Sequence, residues 1–179
     1  MQRFIELWGA LQVGAERPVY LLLDCAGFEQ GFSAIPQDLF DRLQSLVTGD
    51  LGDELADTAG YLGRIVKADA ATAARVEELL DAQLAMLLVP RLAPAEPGEP
   101  GTTPDFAVLH RHLRKYNVVY SADGKPLFFR YYDPRVVDDL QRAGLTELTG
   151  PVFAPFEALV YRDAMGQWAR VATVAMAQA

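Results

Sequence analysis

The chain has 179 residues, of which 51% are hydrophobic and 22% are charged, and its formal net charge at pH 7 is −8. This composition is that of an ordinary globular protein and excludes a wholly disordered chain. The acidic balance argues against general nucleic-acid binding, because neutralising phosphates takes a surplus of Lys and Arg. Residues 1–105 hold 7 basic and 17 acidic side chains, whereas residues 106–179 hold 9 and 7. This division fits an acidic face and a mildly basic face, and it fits a plain solvated surface equally well.

The apolar runs of the sequence are too short to predict a membrane-spanning helix. Ala85–Val89 is among the longest of them, and a span takes roughly 20 apolar residues. The amino-terminal segment has Glu6 within its apolar part and lacks the basic-then-apolar order of a secretory signal. Cys25 is the only cysteine, which leaves no internal disulfide and suits a reducing compartment. We therefore expect a cytoplasmic protein without membrane insertion.

The first part of the chain predicts a helix, a strand and a second helix. Apolar residues at helical spacing over 4–11 predict the first helix, and the continuous apolar run Val19–Leu23 predicts a strand covered on both faces. The stripe of Leu39, Phe40, Leu43, Leu46 and Val47, opened by Pro36 and closed by Gly49, predicts a helix. Residues 50–66 contain three glycines and predict a loop with one helical turn.

The middle of the chain predicts a buried helix over 70–84, because this segment lacks Gly and Pro and carries an apolar stripe. Ala85–Val89 either extends that helix or forms a second buried strand. The Pro/Gly-rich stretch 94–104 predicts an exposed, mobile loop. Thr103 as a cap and Pro104 as the first helical residue predict that another helix begins there.

A turn in the second half carries the clearest hairpin signal. Asp123-Gly124 lies between two runs of β-prone residues, 118–120 and 127–132, and this dipeptide favours the tight turns of hairpins. Asp133-Pro134 then predicts the cap and first residue of a helix that Gly144 ends.

The carboxy-terminal part predicts a second hairpin. Its strands are the β-prone runs 156–161 and 167–174, and Asp163–Gly166 joins them. The whole pattern predicts an α/β fold: a single domain over 1–179 with a mixed β-sheet, helices packed on it and a C-terminal β-hairpin.

Few residues suggest chemistry. His110 and His112 stand two apart on a predicted helix, so they point about 200° away from each other and cannot share a metal ion. Cys25 follows Asp24 at a strand end, where α/β folds tend to place nucleophiles. A thiol-dependent hydrolase would need one of the two histidines beside Cys25, which is otherwise a small buried hydrophobe. We expect no metal, no nucleotide and no cofactor.

The stretch from His112 to Leu140 is more specific, and it reads HLRKYNVVYSADGKPLFFRYYDPRVVDDL. A helix ends in His-Leu-Arg, an Asp-Gly turn follows, an aromatic strand carries Phe-Arg, and Tyr-Asp-Pro-Arg opens the next helix. This order resembles the type VI secretion effector-adaptor (effector-chaperone) family, first catalogued as a domain of unknown function. The matching positions, called the signature residues below, are His112, Arg114, Asp123, Gly124, Phe129, Arg130, Tyr132, Asp133, Pro134 and Arg135.

The resemblance spans about residues 18–153. In the amino-terminal half it rests on Val19–Ala26, which resembles the family's first strand, and on Asp53–Ile65. Cys25 stands where the family more often has glycine, and Gly60 stands where it usually has proline.

The resemblance implies a function in protein binding, without turnover. Such adaptors bind a toxic effector in the cytoplasm, keep it stable and help load it onto the VgrG spike, often with a PAAR tip. The implied partners are thus a secreted effector and VgrG. The alternatives are a thiol-dependent hydrolase acting through Cys25 and a structural subunit of a larger assembly.

The signature residues have two readings, structural and partner-binding. Asp133 caps the following helix and pairs with Arg130 or Arg135, or Arg130 and Asp133 present charge to the effector. The basic run Arg111, Arg114 and Lys115 meets an acidic effector surface or solvates its helix.

The aromatic residues beside the Asp-Gly turn suggest a contact surface. Tyr120, Phe128, Phe129, Tyr131 and Tyr132 alternate across the predicted hairpin, so some of them face away from the main core. An outward aromatic there would be an anchor for a partner. Full burial of both Phe128 and Tyr132 would remove that hypothesis.

Overall fold

A computed structural model of the chain describes residues 2–93 and 101–173. The helices of this part are α1 (Gln2–Leu11), α2 (Asp50–Glu54), α3 (Ala70–Asp81), α4 (Phe106–Arg114), α5 (Pro134–Arg142) and α6 (Thr146–Phe153). The strands are β1 (Val19–Asp24), β2 (Arg42–Ser45), β3 (Gly60–Ile65), β4 (Ala85–Pro90), β5 (Val118–Tyr120), β6 (Pro126–Phe128), β7 (Phe156–Arg162) and β8 (Trp168–Ala172). Among the described residues, no helix combines the length and the apolarity needed to cross a membrane.

One six-stranded sheet, in the order β2-β3-β1-β4-β7-β8, forms the centre of the fold, and β5 and β6 pair separately as a hairpin. The predicted α/β class, with helices packed on a sheet and a C-terminal hairpin (β7–β8), is confirmed. The sequence predicts a mixed sheet with parallel and antiparallel strands. In the structure, all strand pairings of this sheet are antiparallel.

Helices cover both faces of the sheet, and β1 contributes to both. Val19, Leu21 and Leu23 pack into an apolar cluster with α1 and α3, whereas Tyr20 and Leu22 pack into a second cluster with α4, α5 and α6. All six residues of β1 are buried, and so are all six of β4. The prediction of a strand covered on both faces is thereby confirmed, and the segment after α3 is a strand rather than a helical extension. Each buried Val or Leu stabilises the fold by about 1.5–3 kcal/mol relative to exposure.

All of the signature residues belong to the excursion between β4 and β7, two strands that are neighbours in the sheet. This excursion comprises α4, the β5–β6 hairpin, α5 and α6. Most of the loop predicted at 94–104 lies outside the described residues. Ala93 and Thr102, on either side of the part that is not described, form an antiparallel bridge. The helix after the loop begins two residues later than predicted, at Phe106, because Asp105 caps it. The Thr103 hydroxyl instead donates to the Glu16 carbonyl.

The helix predicted between Pro36 and Gly49 is wrong. This segment forms a short 3-10 turn, Gln37–Leu39, followed by the edge strand β2. The apolar residues have helix-like spacing in the sequence, but they pack on both sides of the sheet. Leu46 enters the cluster with α4, and the next residue, Val47, enters the cluster with α1. Successive side chains pointing to opposite faces are the mark of extended chain.

The prediction for 50–66 is correct in its helical turn, which is α2, and wrong in its second half, which is β3 and lies inside the sheet between β1 and β2. Gly60 and Gly63 concealed the strand, since glycine is depleted in strands. Both glycines serve close packing: a Cβ atom at Gly60 would overlap the ring of Tyr132, and one at Gly63 would overlap the ring of Phe40. Glycine in a strand often marks such an approach.

We predict that Gly60→Ala destabilises the protein, because the added methyl group forces the buried Tyr132 ring off the strand. Overpacking of this kind costs about 1–3 kcal/mol. The matched control is Gly9→Ala in α1, where a Cβ atom meets nothing within 4 Å. The control should be stabilised by up to about 1 kcal/mol, since alanine is the better helix former. Urea denaturation of both variants measures the difference, and equal free energies of unfolding would contradict the packing argument.

Candidate functional site

A buried carboxylate lies at the end of the central strand β1. Asp24 is 0% exposed, and it accepts hydrogen bonds from Arg130 Nη2 at 2.9 Å to Oδ1 and 2.7 Å to Oδ2. Arg135 Nη2 lies 3.5 Å from Oδ2 of the same carboxylate. The ion pair joins residues that are 106 positions apart in the sequence. It therefore fastens the segment after the β5–β6 hairpin to the end of β1.

A second carboxylate completes this group. The Asp133 side chain caps α5 by accepting from the Arg135 backbone N–H at 3.0 Å, and Pro134 occupies the first helical position. The Arg135 guanidinium also donates to Asp133, from Nε at 2.8 Å and from Nη2 at 2.9 Å. Arg130 lies 3.5 Å from Asp133. We call Asp24, Arg130, Asp133 and Arg135 the Asp24 cluster.

The Asp24 cluster contains two carboxylates and two guanidinium groups, so its formal charges balance. Burial raises the pKa of Asp24 above its ordinary value, and the hydrogen bond and charge of Arg130 act in the opposite direction. Within the described residues, Arg130 Nε is buried without a hydrogen-bond partner. Because Arg130 opposes the effect of burial more strongly than any other group, the ionised form of Asp24 depends chiefly on Arg130.

Both ends of the β5–β6 hairpin are fastened to the body of the protein. Before the hairpin, the Asn117 amide donates to the Leu46 carbonyl at 2.7 Å. At its base, the Phe129 N–H donates to the Asn117 carbonyl at 2.8 Å. After the hairpin, the buried Tyr131 hydroxyl donates to the Leu113 carbonyl at 2.8 Å. Together with the Asp24 cluster, these bonds fix where the hairpin leaves the body.

The turn of the hairpin is ordered by its own side chains. Gly124 has φ +78°, a conformation that favours glycine. Asp123 forms an ion pair with Lys125 at 2.7 Å and accepts from the Ser121 hydroxyl at 2.6 Å. The signature residues Asp123 and Gly124 thus shape the turn.

Among the aromatic residues beside the turn, the structure separates buried from exposed ones. Tyr131 and Tyr132 are buried, and Phe129 is half-buried with its ring edge-on to Tyr131. Phe128 is 44% exposed and Tyr120 is 72% exposed. Because Phe128 and Tyr132 are not both buried, the hypothesis of an outward aromatic anchor stands.

Four apolar residues share one face of the hairpin. Val118 pairs with Phe128, and Tyr120 pairs with Pro126. Directly opposed residues, and residues two apart on one strand, lie on the same face of a β-ribbon. All four are exposed, and we call them the hairpin face. Leu127, on the opposite face, is 50% exposed.

The two histidines hold backbone groups in different parts of the fold. His110 Nε2 lies 2.8 Å from the Ser45 carbonyl of β2, and burial lowers the pKa of its ring. His112 Nε2 lies 3.1 Å and 3.0 Å from the carbonyls of Pro151 and Val152 in α6. The signature residue Arg114 donates to the Thr48 hydroxyl. In residues 2–93 and 101–173, no three His, Cys, Asp or Glu side chains form a group that could hold a metal ion.

Cys25 has the properties of a core residue. It is 0% exposed, and burial raises the pKa of its thiol to about 11. Nucleophilic cysteines have the opposite property, a lowered pKa in a partly exposed position. Because both histidines bond to backbone carbonyls elsewhere, neither serves as the base that a thiol-dependent hydrolase would need.

Sequence reasoning missed the pairing of Asp24 with Arg130. A signal for it existed: a carboxylate that ends a fully apolar run is buried, and a buried charge requires a partner. Arg130, an arginine within an aromatic run, was the complementary signal.

We predict that Arg130→Ala lowers the free energy of unfolding by about 3 kcal/mol near neutral pH, because it leaves a buried carboxylate without its main partner. The matched control is Arg75→Ala, which removes a two-bond pair with Asp38, whose side chain is 75% exposed. Exposed pairs contribute about 1 kcal/mol or less. Chemical denaturation of both variants measures the contrast, and equal losses would contradict the assignment.

This loss should also depend on pH. Burial raises the folded-state pKa of Asp24 above its unfolded value, so this group favours folding below the unfolded pKa and loses that contribution as the pH rises through the folded pKa. Removing Arg130 raises the folded pKa further. The penalty of Arg130→Ala should therefore shrink as the pH falls from neutral through the raised folded-state pKa of Asp24 in the variant. A penalty that stays constant between neutral pH and that value would argue against an unpaired Asp24 charge.

We predict that Cys25 reacts with a thiol reagent about 100-fold more slowly in the native protein than in urea, since burial removes both access and thiolate. Absorbance of a chromogenic disulfide reagent measures both rates. Fast reaction of the native protein would reopen the hydrolase hypothesis.

Comparison with known protein families gives one match. A family model described as a domain of unknown function, DUF4123, matches residues 19–147, which is most of the chain and close to the span of the resemblance noted above. Comparison with curated proteins and with solved structures gives no match. The match covers β1, the Asp24 cluster and the whole of the β5–β6 hairpin. The chain therefore belongs to the DUF4123 family.

Proposed function

We propose that this protein is a cytoplasmic adaptor that binds an effector of a type VI secretion system and helps load it onto the VgrG spike. Two observations support the proposal: membership of the DUF4123 family, and signature residues whose pattern resembles the effector adaptors. The adaptor acts by binding, so its functional surface is a contact surface.

The observation that carries the proposal is the hairpin face. An apolar face on a two-stranded ribbon cannot be covered by the ribbon itself, and here Tyr120 and Phe128 expose aromatic rings to solvent. Aromatic residues are enriched among the anchors of protein interfaces, because they bury a large area at a small cost in side-chain entropy. The anchored base of the hairpin also favours binding, because a hairpin that is already held in place loses less conformational entropy when a partner binds.

Charge beside the hairpin indicates the kind of effector surface that fits. Arg111 and Lys115 are exposed near the end of α4, just before the hairpin begins, and within the described residues neither forms an ion pair. The chain as a whole carries a net charge of −8, so this basic end has the opposite sign to the molecule as a whole. An effector segment with apolar side chains and neighbouring carboxylates would complement both features.

The effector and the spike are first identified by affinity purification of the tagged protein from its native host, followed by mass spectrometry. We expect one large toxin-like protein to be recovered, with or without VgrG. A stable homo-oligomer with no such protein would favour the structural-subunit alternative.

We predict that Tyr120→Ser combined with Phe128→Ser reduces effector recovery at least about tenfold, because both substitutions remove exposed anchors. The melting temperature should fall by only a few degrees, since Tyr120 is largely exposed and Phe128 loses an edge-on ring contact with Tyr132. The matched control is Met165→Ser, which removes a side chain that is 77% exposed outside the hairpin. Undiminished recovery by the double variant would place the effector contact elsewhere.

A further inference from the structure

The two edges of the central sheet differ in how they are protected. At the β2 edge, His110 covers the Ser45 carbonyl and the Asn117 amide binds the Leu46 carbonyl. At the other edge, within the described residues, no hydrogen bond reaches the outer backbone groups of β8. Unpaired N–H and C=O groups on an edge strand are a template for another strand.

The hydrogen-bond pattern shows which groups of β8 are open. Thr173 N–H donates to the Glu157 carbonyl, and Asp163 N–H donates to the Gln167 carbonyl. Antiparallel pairs alternate between bonded and non-bonded residues, so every second residue of β8 turns its N–H and C=O away from β7. The residues that face outward are Trp168, Arg170 and Ala172, and we call their free backbone groups the β8 edge.

Two of these residues, Trp168 and Arg170, border an apolar cleft against α1. The cleft has a volume of about 350 Å³ and is lined by Phe4, Leu7, Val160, Trp168, Ala169 and Arg170. Trp168 is fixed as one wall, because Phe4 stacks on it at 5.3 Å and the Arg162 guanidinium lies 3.6 Å from its ring centre. The cleft can therefore receive an aliphatic side chain from a strand added at the β8 edge.

A free cation lies at the rim of the cleft. Arg170 is exposed, and no acidic group of the described residues lies within ion-pair distance of it. The neighbouring Arg162 differs, because it is paired with Asp81 at 2.7 Å. A strand that placed a carboxylate opposite Arg170 would supply the missing charge, since opposed residues of paired strands lie side by side.

We propose that the β8 edge binds an extended segment of the effector as an additional antiparallel strand. The segment carries an acidic residue opposite Arg170, flanked two positions away by aliphatic residues, one of which enters the cleft. The inference rests on the proposed function for the identity of the partner, and it names the kind of segment recognised.

A second copy of this chain fits the β8 edge less well than such a segment. The antiparallel register that pairs all three outward residues of two β8 strands places Arg170 directly opposite Arg170. Opposed like charges destabilise strand pairing.

The test uses a labelled synthetic peptide, Ser-Thr-Val-Thr-Glu-Thr-Val-Thr-Ser, and fluorescence anisotropy with the full chain. We expect binding that Arg170→Glu weakens roughly five- to tenfold, because an attraction becomes a repulsion. A peptide with Lys in place of Glu should show the reverse preference and bind Arg170→Glu better than the parent. Arg170 is exposed, so the substituted protein should melt like the parent.

Backbone methylation tests strand addition itself. Methyl groups on the Glu and Val amides, which face the β8 edge in the bonded register, should abolish binding. The same number of methyl groups on Thr amides is the matched control and should leave binding in place. Hydrogen exchange should show slower exchange at Trp168, Arg170 and Ala172 when the unmodified peptide is bound.

Several outcomes would overturn the inference. These are no binding at about 1 mM peptide, equal binding of the Glu and Lys peptides, and binding that survives methylation of the edge-facing amides. A homodimer whose β8 amides are protected would show that a second copy is the occupant. Because the peptide assay uses no effector, it can fail independently of the proposed function. If an effector is recovered but the peptide does not bind, only the β8 site is refuted. If the peptide binds but no effector is recovered, only the adaptor function is refuted.

Discussion

The buried charge of Asp24 is the constraint that determines how the second half of the chain packs on the sheet. A carboxylate taken out of water costs several kcal/mol unless a cation meets it with good geometry. Arg130 does so with two hydrogen bonds, and this fixes the point where the chain crosses the end of β1 after the hairpin. The next residues then fall into place: Tyr131 reaches the end of α4, Tyr132 lies on Gly60, and Asp133 caps α5. We interpret the Asp24–Arg130 ion pair as selecting this fold over alternative folds. Any path of the chain that moves Arg130 away from the end of β1 leaves the Asp24 carboxylate buried without a counter-charge.

Local signals made part of this fold predictable from the sequence. The buried strand β1, the two hairpins and the Asp133 cap each depend on a few adjacent residues. Strand β2 was missed because its apolar residues have helix-like spacing. Strand β3 was missed because Gly60 and Gly63 are poor strand formers that become favourable only under the rings of Tyr132 and Phe40. Asp24 and Arg130 each carry a local signal of burial, but their pairing was missed because neither signal identifies a partner 106 residues away.

Several signature residues are buried in the body of the protein, whereas the proposed contact residues are exposed. Arg130, Tyr132 and Asp133 are turned into the body of the protein, where they hold the base of the hairpin. Tyr120 and Phe128, which expose their rings, lie outside the signature. Arg130, Tyr132 and Asp133 therefore favour the structural reading of the signature at the base of the hairpin. On this view, chains that share the anchor can carry different partners by changing the exposed residues alone.

The hairpin face and the β8 edge would recognise an effector in different ways. The hairpin offers aromatic side chains, so it selects shape and apolar surface, whereas an edge strand offers backbone groups and accepts any segment whose alternate side chains fit. Each contact is small, and two small contacts joined through one partner bind far more tightly than either alone. Breaking either contact removes that gain, so under the proposed adaptor function an effector held at both sites would be stably bound and would still be released when a single segment is displaced.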